Sequence, residues 1–177
     1  MGTDSEYLFN QLKVMRIGFG FALLTVLYGF GLGGVFGGFE DDIKGHLKGS
    51  AQAVFDTVYE SDEAKMGKIT SKSWTYFKRA HLHANGIGTT AIALSVLLMF
   101  LSVSSRLKAI LSGAMGIGAL GYSSFWMFAA LKAPGMGSTG AAKESLSFLA
   151  TPSAFLCIAG VVIVLGLFLQ KAFGSKQ

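Results

Sequence analysis

"RIGFGFALLTVLYGFGLGGVFGGFE", Arg16 to Glu40, runs from one charged residue to the next with none between them. An α-helix rises about 1.5 Å per residue and the hydrocarbon core of a bilayer is about 30 Å thick, so about 20 such residues cross it. The same kind of gap recurs three times. Between His83 and Arg106, between Lys108 and Lys132, and between Glu144 and Lys171 there is no Asp, Glu, Lys or Arg. The spacing predicts four membrane spans, at 14–39, 80–103, 109–131 and 146–173, with both termini on one side.

The composition agrees with that reading. The chain has 177 residues, 51% of them hydrophobic and 14% charged, with a mean hydropathy of +0.53. Soluble domains carry about 25% charged residues. The sequence shows no repeat and no low-complexity tract, so the expected fold is an all-α, single transmembrane domain over 1–177, a four-helix bundle. The expected location is a bacterial inner (plasma) membrane. The first span is expected to be retained, because it is too long and Gly-rich for a cleaved signal peptide. Glu6 stands where a myristoylation signal needs Ser or Thr.

The polar segment 40–78 predicts an amphipathic helix. Asp41 and Asp42 suit a helix start, and Ile43, Leu47, Ala51, Val54, Phe55 and Val58 follow at helical spacing. Trp74, Tyr76 and Phe77 form an aromatic anchor before the second span. Orientation stays open: the termini and the 104–108 turn hold six Lys and Arg, the two other loops nine. Pro152 predicts a modest kink early in the last span.

Several function classes are disfavoured. The net charge of +5 comes from bases at span ends and in a loop interleaved with acids, a pattern for lipid headgroups and not for nucleic acid. Gly116, Gly118 and Gly121 match GxGxxG, as do Gly135, Gly137 and Gly140, but neither set follows a β-strand. No Asp or Glu lies inside a span, which argues against an ion-coupled carrier. The single Cys157 excludes an intrachain disulfide and covalent haem attachment.

Gly29, Gly33 and Gly37, and likewise Gly34 and Gly38, are four residues apart, a spacing that lets helix backbones approach closely. The remaining chemistry lies with three histidines. His81 and His83 are two apart, so on a helix their rings point about 200° from one another and cannot hold one ion together. His81 shares a face with Asn85 and Gly88, His83 with Gly86 and Thr90. His46 flanks the apolar stripe of the predicted amphipathic helix. A neutral imidazole beside small residues, with Arg79 and Lys78 placed to meet propionates, is what a haem site requires.

At "RAHLHAN", within residues 79–88, the chain resembles the haem-ligand helix of the heme-copper oxidase and nitric oxide reductase large subunits. That resemblance implies an axial role for His83 on a low-spin haem b, with Arg79 and Asn85 at the matching flanking positions. The chain departs from those subunits in having fewer spans and no histidine in another span, so oxygen or nitric oxide reduction is not implied. The expected function is a b-type haem electron-transfer subunit of a larger respiratory or photosynthetic complex, with quinone as a candidate partner. Its haem contacts would be His83, His81, His46, Arg79 and Asn85. The second axial ligand stays open among His81, His46, a Met such as Met115 or Met127, and another subunit. The alternative is a cofactor-free accessory subunit whose small-residue faces pack against larger membrane partners.

Overall fold

The computed structural model describes residues 2–174. Seven helices account for nearly all of them, and there is no strand among the described residues. They are α1 (Gly2–Val14), α2 (Arg16–Gln52), α3 (Phe55–Val58), α4 (Glu63–Phe100), α5 (Ser105–Met136), α6 (Thr139–Glu144) and α7 (Ser147–Phe173). The helices α2, α4, α5 and α7 are long and apolar enough to cross a membrane.

The helices reach further than the apolar gaps do. α2 is broken by a kink at Phe39, whose backbone is not helical (φ −135°, ψ 27°), and a second helical run follows to Gln52 with Asp41 and Asp42 in its first turn. Beyond the kink Leu47 and Ala51 are buried, while Ile43, Val54, Phe55 and Val58 are half-buried. α4 begins at Glu63 and not near Ala80, with the Asp62 side chain capping the Lys65 amide at 2.9 Å. Residues 63–79 contain no Pro and are rich in good helix formers, so nothing in them stops the helix before the apolar run begins. The aromatic anchor therefore lies within a helix. α5 likewise runs past Lys132 and through Pro134, and Gly137 ends it at φ 59°, the left-handed conformation that Gly adopts without penalty. α7 runs unbroken through Pro152.

α5 is the hub, packed against α2, α4, α6 and α7. Close approach depends on missing side chains. A Cβ on Gly118 would stand 2.8 Å from the Ser153 carbonyl oxygen of α7, and one on Gly116 would meet the backbone of α2 at Gly18. Polar ties cross the interior at the same places: the Ser95 and Ser112 hydroxyls are 2.9 Å apart, joining α4 to α5. Lys108, buried at the start of α5, donates to Gln11 Oε1 of α1 (2.8 Å) and to the Met99 carbonyl of α4 (3.2 Å).

Two apolar clusters fill the bundle. One, around Met15, Leu98, Leu111, Met115 and Val164, lies at the end where α1 meets α5. The other gathers Tyr76, Phe77, Phe125, Trp126 and Leu146. A third, smaller cluster of Ala51, Tyr59 and Met66 joins the post-kink part of α2 to α4. Fully buried Tyr59 donates its hydroxyl to the Pro134 carbonyl at 2.6 Å.

Candidate functional site

The histidine segment of α4 lies between α2 and α5, and helical periodicity sends its polar residues to different neighbours. On the α2 side, His81 Nδ1 is 2.8 Å from the Gly29 carbonyl oxygen. A carbonyl only accepts, so Nδ1 carries the proton and donates, which leaves Nε2 as the ring's acceptor. The Asn85 amide donates to the His81 carbonyl at 3.1 Å. Gly33 and Gly29 make this possible: a Cβ on Gly33 would stand 2.8 Å from His81 Cε1, and one on Gly29 2.7 Å from Asn85 Oδ1. The Phe36 ring closes the pocket edge-on, 5.5 Å from the imidazole. Asn85 Oδ1 is left buried without a donor.

On the α5 side, His83 stacks on Trp126 (5.9 Å, 27°) and meets Tyr122 edge-on at 5.2 Å. The Arg79 guanidinium lies over the same indole, 4.9 Å from its centroid, and 5.4 Å from the Tyr76 ring. Tyr76 in turn meets Trp126 edge-on at 4.9 Å, and Lys143 of α6 lies 5.9 Å from Tyr76. Stacked cations and rings of this kind join α4, α5 and α6, with each cation–ring contact worth about 0.5–1 kcal/mol where exposed. Trp126 Nε1 is buried without an acceptor.

The structure thus keeps His81 with Asn85 on one side and His83 with Arg79 on the other, and it brings His46 to neither. His46 is exposed on the post-kink part of α2, where its carbonyl accepts the Ser50 hydroxyl at 2.9 Å. The methionines considered as ligands are engaged elsewhere. Met127 Sδ accepts the Tyr28 hydroxyl at 3.0 Å, and Met115 packs beneath Gly160 in the opposite cluster. No group of three or more His, Cys, Asp or Glu is placed to hold a metal ion among the described residues.

The room that Gly29 and Gly33 provide is filled by His81 and Asn85 themselves. Two sizeable cavities lie elsewhere. One of about 510 Å³ separates the post-kink part of α2 from the start of α4, and one of about 300 Å³ opens at the α4–α7 seam. Neither is lined by histidine. Among the described residues the three histidines are thus held apart, and no two of them are brought together as an axial pair.

Trp126, Tyr122 and Gly29 are central here yet were not among the sequence candidates. Gly29 was visible only as one of several glycines at four-residue spacing, and that spacing alone does not say which of them receives a side chain. Comparison with protein-family models, curated proteins and solved structures finds no match.

Proposed function

We propose that the chain is a small four-helix membrane subunit that works by packing against a larger membrane partner, with His81, Asn85 and His83 locking its own helices together. One observation carries this reading. At Gly20, Gly31, Gly34 and Gly38 of α2 an added Cβ would meet nothing within 4 Å. At about 100° per residue these four glycines fall on one face of the helix, opposite the face on which Gly18, Gly29 and Gly33 receive α4 and α5. Each Gly in a helix interior costs about 0.5–1 kcal/mol relative to Ala. An outer stripe of them offsets that cost when a second helix approaches backbone to backbone, as small-residue faces in membranes do.

Gentle extraction from native membranes tests the proposal. The chain should come out with a fixed partner, and Gly31→Leu/Gly34→Leu should release it while leaving its own helices folded. Recovery of the unaltered chain alone, with no cross-linked neighbour on α2, would overturn it.

A b-type haem electron-transfer subunit is the second reading, and His81 is what favours it. An imidazole whose Nδ1–H is held by a carbonyl presents Nε2 in the manner of metal-bound histidines. The opposite ligand would then come from the partner, and quinone would stay a candidate redox partner of the assembly. The visible spectrum decides. A Soret band lost on His81→Ala or His83→Ala supports it, and a colourless preparation from haem-replete cells excludes it.

A further inference from the structure

The cavity of about 510 Å³ beside the kink has a composition that the packing of the bundle does not require. Lys44 and Lys48 line its α2 wall, Thr70 and Ser71 its α4 wall, and the half-buried Trp74 closes one end. Its floor is apolar, made by Leu47 and Met66. No acid lines it. Lys44 pairs with Glu40 one turn away, and Lys48 has no acidic partner among the described residues. Lys44 and Lys78 each hold an ammonium over the Trp74 ring, 5.4 and 5.9 Å from its centroid.

The place of the cleft in the fold matters as much as its lining. Trp74 packs edge-on against Phe36 (5.3 Å), within the last apolar turn of α2, and three residues on the helix kinks into the polar segment Glu40–Asp42. The cleft therefore sits where the apolar length of the bundle ends. Indoles favour that level in a bilayer, and basic pockets between helices there bind anionic headgroups. Val35 just before the kink and Phe39 at it are exposed, apolar surface suited to acyl chains.

We infer that this cleft is a binding site for an anionic phospholipid, its phosphate held by Lys44 and Lys48 and its glycerol region lying against Trp74. The shared chemistry is a phosphate ester, and the membrane lipid is chosen over a soluble phosphate because an apolar floor adjoins the two cations. The inference rests on the membrane placement of the bundle and not on the partner of α2.

Native mass spectrometry of the full chain in mild detergent, titrated with phosphatidylglycerol or phosphatidylcholine, tests it. Phosphatidylglycerol should be retained preferentially, and Lys44→Gln/Lys48→Gln should weaken it by roughly thirtyfold, the effect of removing two near-surface cations. The Lys48→Gln single variant, at an exposed and unpaired position, should show a smaller loss of the same sign. Lys68→Gln/Lys72→Gln removes equal charge outside the cleft and should leave retention unchanged. Equal loss in both double variants, or no preference between the lipids, overturns the site. Competition by inorganic phosphate at matching affinity would make the ligand a soluble anion and overturn the lipid assignment. Loss of the headgroup preference in a protein that still inserts into vesicles would refute the site alone and leave the membrane reading standing.

Discussion

α5 and α7 are neighbours of similar kind, yet they occupy opposite positions in the molecule. Half of the apolar window of α5 is buried, 50%, against 17% for α7, although α7 is the more apolar of the two. α2 and α4 fall between them in the same order. In a protein surrounded by water the most apolar element is the most buried. The reversed order is the one expected where lipid surrounds the molecule, because lipid is as apolar as Leu and helix association then depends on close packing and polar ties. The interior of α5 fits that description, with Ser112, Gly116, Gly118 and Ser123 buried along it. The outer face of α7 carries Phe148, Phe155, Ile158 and Val162, all mostly exposed.

Substitutions on the two sides should therefore behave in opposite ways. The largest effect is expected inside: Gly116→Leu would force α5 away from the Gly18 backbone and should cost about 3 kcal/mol or more, read as loss of the folded form in detergent thermal melts. The same change at Gly166, where nothing lies within 4 Å, should stay within about 0.5 kcal/mol. A comparable loss at both would end the contrast.

Next comes Val162→Arg, at an exposed position near the middle of α7. With lipid outside, it should cost about 2.5–3.5 kcal/mol in membrane insertion assays. A neutral result would mean that this face meets water. Ser112→Val should then cost about 1–2 kcal/mol, because it leaves the buried Ser95 hydroxyl without its partner. The equivalent change at exposed Thr89 should be silent.

The smallest effect is outside the spans. Tyr59→Phe removes the bond to the Pro134 carbonyl and should cost about 1 kcal/mol. Burial pushes the Tyr59 phenol above its usual value. Its folded-state pKa then exceeds its unfolded one, so its contribution is full below about pH 10 and is lost as the pH climbs through the folded value. Alkaline melts should show that loss in the unaltered protein and lack it in Tyr59→Phe.

The four long helices were legible because runs without charge are read directly from the residues. Their ends were not: Glu63 to Arg79 is polar enough to look like a loop, yet it starts on the Asp62 cap and holds no Pro, so the helix runs through it. The separation of His81 from His83 followed from helical geometry alone. Their partners did not, since Gly29 and Gly38 look alike until a neighbour is placed against one of them. His46 flanks the apolar stripe in the sequence, but flanking a buried face is compatible with exposure, and exposure is what the packing gives it.

The one-sided attachment of α7 also bears on the order of assembly. α2, α4 and α5 each meet the other two, whereas α7 leans almost entirely on α5. A helix so apolar can wait in lipid at little cost, and α5, with its buried hydroxyls and glycines, gains most from early company. During synthesis the first three long helices can close into a unit before the fourth arrives, and α7 then docks on a surface already made.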